Sequence, residues 1–243
     1  MSFDRDRFRR RLRAVAGAAS CIAACGAAAL ASPPAHAAEV SANIALTSDY
    51  VWRGSSQAME DPAVQAGVKL ASDSGWYGSV WGSNVEFAPE LEASSEFDFA
   101  LGWSRKAGDD WSLDVYALRY VYPGTTADLD WTELNASATW RDRAWVGFGW
   151  SDDAMATGEA GTYVNAGVRF PATDALRFEL GAGRYLLDDA LGDYSHGWAS
   201  AIWTVHAPFE LRVTGHATDG SAKHRFGGAL AGSRFEAALQ ASF

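Results

Sequence analysis

The sequence predicts an all-β fold: a closed, antiparallel, up-and-down transmembrane β-barrel of about 12 strands, preceded by a signal peptide. Three observations predict it. The chain ends in a strand whose two faces differ, with Phe235, Ala237, Leu239, Ala241 and Phe243 on one side and Arg234, Glu236, Ala238, Gln240 and Ser242 on the other. The connections between strand-like segments alternate short and long along the whole chain. Aromatic residues gather at the ends of those segments.

The N-terminus reads as an export signal. Arg5, Arg7, Arg9, Arg10, Arg11 and Arg13 form a basic region, Ala14 to Ala31 is uncharged and alanine-rich, and Ala35-His36-Ala37 gives a small-x-small cleavage pattern. Residues 1–37 are therefore expected to be a signal peptide cleaved near Ala37, and residues 38–243 one outer-membrane barrel domain. Ile22-Ala23-Ala24-Cys25 also loosely matches a lipoprotein-processing site. Cleavage after Ala37 removes both cysteines, Cys21 and Cys25, and with them any disulfide or thiol chemistry. The mature balance is 14 basic against 28 acidic residues, which excludes a general nucleic-acid surface.

The final strand sets the solvent. Strands have period two, so its apolar side faces one medium and its polar side another. A C-terminal strand closing on Phe243 looks like the insertion signal read by the barrel-assembly machinery of the outer membrane. Twelve such segments can be marked, at roughly 40–51, 63–72, 76–87, 95–104, 111–121, 130–140, 144–151, 161–170, 175–185, 194–205, 209–218 and 234–243. Each has about the ten residues a tilted strand needs to cross a bilayer. No run of 18 apolar residues follows the leader, so a helical membrane protein is excluded. Faces are unclear around Gly78–Gly82 and Gly197–Trp203, and Phe226 to Ala231 could be a further strand segment.

The connections and aromatics give the orientation. Short turns fall near 73–75, 105–110, 141–143, 171–174 and 206–208. Longer loops fall near 52–62, 88–94, 122–129, 152–160, 186–193 and 219–233. An even number of strands with both ends periplasmic requires short turns inside and long loops outside. Trp76, Tyr77, Trp103, Trp111, Trp140, Trp145, Phe170 and Trp203 lie near the short turns. Trp52, Phe97, Tyr120, Trp131, Trp150, Tyr163, Tyr185 and Tyr194 lie near the long loops. Two rows of amphipathic rings are expected to form two interfacial girdles.

Parity places Asp49, Lys69, Glu96, Asp98, Asp114, Glu133, Arg169, Arg177, Glu179, Glu210, Arg212 and Arg234 inside. Such a set either pairs off into a plug or lines a pore whose charges select solutes. Acidic residues crowd the long loops, among them Glu60, Asp61, Glu90, Asp152, Asp153, Asp188 and Asp189. They suit a solvated surface bridged by divalent ions to lipopolysaccharide, or the recruitment of cations. Catalytic motifs are lacking: no Gly-x-Ser-x-Gly, no His-Glu-x-x-His and no phosphate loop. Ser195 and His196 are strand neighbours and point to opposite faces, so they cannot form a nucleophile–base pair. The four histidines after the leader have no metal-ligand spacing. Neither a catalytic residue, a metal site nor a cofactor is expected.

Ser48-Asp49-Tyr50-Val51-Trp52-Arg53-Gly54-Ser55-Ser56-Gln57 is the most distinctive stretch. Together with Trp76 to Phe87 it resembles the Gcw_chp family of uncharacterised proteobacterial exported proteins. The resemblance implies an outer-membrane barrel and no particular activity. Read physically, Asp49 and Arg53 share parity at the outer end of the first strand, roughly 13 Å apart if it stays extended. Arg53 would then pair with Glu86 or Asp98, Gly54 would permit a tight turn, and Gln57 could hydrogen-bond back. This motif either anchors the first loop or, through Asp49, Arg53 and Glu86 with Asp98 and Glu133 nearby, forms a selectivity constriction.

The expected function is passive passage of small polar or cationic solutes across an outer membrane, in contact with its lipid and lipopolysaccharide. A barrel with a plugged lumen working through its loops is the first alternative, and a lipid-modifying enzyme the second.

Overall fold

The computed structural model describes residues 38–188 and 190–243. The expected leader, with Cys21, Cys25 and the cleavage site, lies outside the described residues, as does Asp189. Fourteen strands follow in chain order: β1 (Glu39–Thr47), β2 (Val51–Trp52), β3 (Ser55–Ser56), β4 (Ala63–Ala71), β5 (Trp76–Asn84), β6 (Ser95–Ala107), β7 (Trp111–Val121), β8 (Trp131–Trp140), β9 (Ala144–Ser151), β10 (Gly161–Pro171), β11 (Leu176–Leu187), β12 (Tyr194–His206), β13 (Phe209–Thr218) and β14 (Arg234–Ser242). A short helix, α1 (Gly220–Phe226), sits between β13 and β14.

Twelve of these strands close into one antiparallel barrel, with β1 lying between β4 and β14. The seam pairs Asn43 with Ser242 and Thr47 with Ala238. Phe243 finishes it: its amide donates to the Ala42 carbonyl at 2.8 Å, and its carbonyl accepts from the Ala42 amide at 2.9 Å. Its ring is exposed on the outer wall. Closure leaves no strand edge, as a wall in lipid requires.

The outer wall is apolar along every strand. Val40, Ile44, Leu46, Val68, Leu70, Phe99, Leu101, Val115, Leu134, Val146, Leu180, Val213 and Leu239 are all exposed. Their neighbours of opposite parity turn inward and are polar. Glu96, Glu133, Glu179 and Thr214 are buried in the lumen. This is the inverse of a soluble barrel and identifies a transmembrane one.

The girdle expectation holds for some of the aromatics. Trp76, Trp111, Trp140, Phe170, Trp203 and Phe209 are exposed at the short-turn end. Tyr77, Tyr120, Trp131, Tyr163, Tyr185 and Tyr194 are instead buried, since they share parity with lumen residues such as Asn165 or Glu133. Room for inward rings comes from inward glycines. A Cβ at Gly181 would overlap the Trp198 indole, so a Gly181→Val variant is expected to lose about 1–3 kcal/mol of stability through overpacking. Urea unfolding of the refolded barrel checks this, and an unchanged midpoint would show that the ring moves aside freely.

The last loop is not an extra strand. Asp219 caps α1 by accepting from the Ala222 amide at 2.9 Å. Only Ala231 makes a bridge, to Ser55. On the fifth long loop, Asp193 accepts from the Leu187 amide at 3.0 Å and from Arg184 at 2.9 Å. The backbone bond first, and Arg184 after it, hold the Asp193 carboxyl below its ordinary value. That contribution is present above the ordinary carboxylate range and is lost as pH falls through the lowered value. The Leu187 amide resonance is therefore expected to move only below that range. Movement at an ordinary carboxylate pKa would show that the bonds do not hold the loop.

Candidate functional site

The first expected strand, 40–51, ends four residues early. After Thr47 the chain leaves the wall and turns into the lumen. The Thr47 hydroxyl donates to the Asp49 carbonyl at 2.7 Å. Val51 then pairs with Ser56 and Trp52 with Ser55, making a small hairpin from β2 and β3 inside the mouth. Arg53 and Gly54 are its two central residues, with φ of +46° and +87°. Positive φ at both positions is the geometry of a tight two-residue hairpin turn. For Arg53 it is a sparsely populated conformation that the surroundings must hold.

They hold it firmly. Arg53 donates through both terminal nitrogens to Glu133 on β8, at 2.6 and 2.9 Å. Its guanidinium lies 3.8 Å from the Tyr163 ring centre, 4.5 Å from Trp52 and 4.9 Å from Tyr185. A flat, forked cation stacked on aromatic faces is a role that arginine fills and lysine does not. Burial opposes the charge on Arg53, but Glu133 beside it more than offsets this and raises the guanidinium above its ordinary value. Arg53 thus pairs with Glu133, rather than with Glu86 or Asp98 as the sequence implied. An extended strand would have carried it up the rim. The inward turn carries it across the lumen to the β8 wall.

The rest of the motif fastens the hairpin. Ser56 donates to Asp49 Oδ1 at 2.6 Å, and Asp49 Oδ2 faces Arg234 at 3.4 Å. The Gln57 amide donates to the Tyr50 carbonyl at 2.7 Å. Its side chain donates back to the Ser55 carbonyl at 3.3 Å. The Glu86 amide donates to the Gln57 carbonyl, and the Ser56 amide to the Leu230 carbonyl. Gly54 packs directly against the wall: a Cβ there would lie 2.6 Å from Thr218 Cγ2 and 2.8 Å from His196 Cβ.

Asp49, Arg53, Gly54, Gln57 and Glu133 are therefore gathered in the mouth, while Phe243 lies at the opposite end. Glu86 contributes its backbone to the same cluster. Asp98 stands on the β6 wall beside Glu96. Missed by sequence reasoning were the rings that receive the hairpin. Trp52 meets Tyr120, Trp131 and Tyr185 edge-on at about 6 Å, and Tyr120 stacks on Trp131 at 4.1 Å. Their parity with Glu133 and Asn165 was the available signal.

Below the hairpin is a cavity of about 290 Å³, bordered by Arg53, Tyr163, His196, Trp198, Arg212 and His216 among others. Above it, an apolar vestibule of about 250 Å³ lies between Trp52, Phe87, Tyr122, Met155 and Phe226. Further down, Glu179 gathers Arg169 at 2.8 Å and Arg212 at 3.5 Å, while Arg177 pairs with Glu210 at 2.6 Å. Ser195 and His196 point to opposite faces. Arg184 on the outer wall donates to the Ser195 hydroxyl, whereas His196 meets the Tyr163 hydroxyl at 2.7 Å in the lumen.

The sequence matches the family described as bacterial protein of unknown function (Gcw_chp) over residues 31–226. No curated protein matches it. Solved structures with the same fold include the NanC porin, with 11% identity, a TM-score of 0.53, and coverage of 84% of this chain and 99% of that one. The KdgM porin in complex with disordered oligogalacturonate is similar at 6% identity and a TM-score of 0.50, covering 84% of this chain and 98% of that one. Identities this low establish a shared architecture.

Proposed function

The chain belongs to the Gcw_chp family, whose function is unknown, and from its geometry we propose that it is a passive outer-membrane channel for small polar or cationic solutes, narrowed at its mouth by the first loop. The observation that carries this reading is a polar cavity inside a lipid-facing barrel, separated from the vestibule by a small hairpin rather than by a filled core. Two barrels of the same architecture are named as porins, which supports it. Diffusion through such a lumen needs no catalytic group and no cofactor, so the reading is non-enzymatic. Export by a leader cleaved near Ala37, insertion by the barrel-assembly machinery, and lipopolysaccharide around the acidic loops complete it.

Selectivity in this reading follows from the mouth. Glu96, Asp98 and Glu133 share the β6–β8 wall, and Arg53 answers Glu133. Single-channel recording of the refolded mature chain tests the proposal. A steady conductance with a cation-selective reversal potential is expected, weakened by Asp98→Asn. The buried hairpin favours a second reading, in which the lumen is plugged and the loops act on the surface. A folded barrel that passes no current would establish that one instead.

A further inference from the structure

Two neighbouring carboxylates on β6 each carry a buried oxygen without a hydrogen-bond partner, and each interacts with the other. Glu96 is 1% exposed. One of its oxygens accepts from the Tyr50 hydroxyl at 3.3 Å, while Oε2 has no partner, and neither does Oδ1 of Asp98. The two residues share a face of the strand, on the order of 7 Å apart along it. Among the described residues no lysine or arginine forms an ion pair with either. Arg53 is taken up by Glu133. Holding two carboxylates with open lone pairs beside a third is strongly unfavourable unless a proton or another positive charge joins them.

The surroundings say what kind of charge fits. Trp81 lies opposite Asp98 on β5 and Tyr120 opposite it on β7. Tyr50 meets Trp81 with ring centres 5.4 Å apart. Burial, and then Glu96, push the Tyr50 hydroxyl well above its ordinary value, so it remains a neutral donor. Among the described residues no group of three or more histidine, cysteine, aspartate or glutamate side chains is placed to hold a metal ion. Aromatic faces beside free carboxylate oxygens instead suit an organic cation, which hydrogen-bonds at its head and packs against the rings.

We propose that Glu96 and Asp98 form a binding site for the alkylammonium group of a small organic cation, enclosed by Tyr50, Trp81 and Tyr120. Asp98 is only partly buried and gives access from the lumen, while Glu96 lies deeper, under the first loop. The inference rests on the channel reading for its setting and gives that channel a solute class: amine-bearing molecules small enough to pass the mouth.

Isothermal titration of the refolded, detergent-held barrel with butylammonium chloride at pH 8 is the test, because it reads binding whether or not current flows. Saturable binding is expected, weakened at least tenfold by Glu96→Gln and by Asp98→Asn. It should be unchanged by Asp114→Asn, whose carboxylate is engaged by Tyr77 lower in the lumen. Cold-gel mobility confirms that each variant is folded. Potassium chloride at equal ionic strength should not compete, and equal competition would overturn the assignment to an organic cation. Absence of saturable binding to a folded wild-type barrel would overturn the site, leaving Glu96 and Asp98 as a pair that shares a proton. Current without binding would leave the channel standing and remove this inference. Binding without current would do the reverse.

Discussion

Replacing Arg53 with alanine is expected to raise the conductance of the refolded barrel several-fold while leaving its twelve-stranded wall intact. Arg53 and Glu133 are 10% and 1% exposed at their side chains. Removing one partner of such a pair leaves a buried charge without compensation, at a cost of about 3–5 kcal/mol. The hairpin has only two residues in each strand. Its inward position depends heavily on this ion pair and on the rings stacked against the guanidinium. The wall, by contrast, is held by continuous ladders on both sides of every strand, so the cost falls on the loop. The hairpin should leave the lumen, and Glu133 should gain water. Arg53→Lys should fall between, because an ammonium can neither fork onto both oxygens nor lie flat on Tyr163. A conductance equal to wild type, in a barrel of normal mobility, would mean that this contact does not hold the mouth closed.

Gly54→Val should open the same mouth without touching a charge. At φ +87° a branched residue is strained, and its Cβ would run into Thr218 and His196. Overlap with the barrel wall has no cheap relief, so the variant hairpin should stay outside. Gly124→Val is the control: its φ is +78° but nothing lies within 4 Å of a Cβ there. It carries the strain without the clash. Trypsin gives a readout independent of current. Cleavage after Arg53 should be slow in wild type, fast in Gly54→Val and slow in Gly124→Val. Equal protection in wild type and both variants would show that the wall yields to the extra methyl groups.

These two positions also show what could be read from the chain and what could not. Segments 111–121, 144–151 and 209–218 coincide with β7, β9 and β13, because alternation between lipid and lumen is written into each residue pair. The expected first strand runs to residue 51, and Tyr50 and Trp52 share its parity. Their apolar rings in fact serve a buried hairpin, and no local signal distinguishes the two. The partner of Arg53 lies 80 residues away. Strand parity places Glu133 in the lumen but says nothing of which loop will reach it. Depth alone places the rings of Tyr163 and Tyr185 in a girdle, whereas parity with Asn165 and Gly183 turns them inward. Phe226 to Ala231 failed as a strand for a similar reason: Asp219 starts a helix just before it, and Leu230 and Ala231 bond to the first loop.

The seam between β1 and β14 has a consequence for the order of assembly. The first loop is fastened to the last one and to the last strand. Asp49 faces Arg234 from 185 residues away, and the Ala237 amide donates to the Ser48 hydroxyl from 189. Contacts between the two extremes of a chain close its longest loops and are therefore among the slowest to form. A nascent barrel whose ends have not met lacks these ties, and the hairpin gains its full fastening only as the seam closes. Sealing the wall and securing the mouth are thus coupled, so a variant that weakens the seam is expected to loosen the hairpin as well.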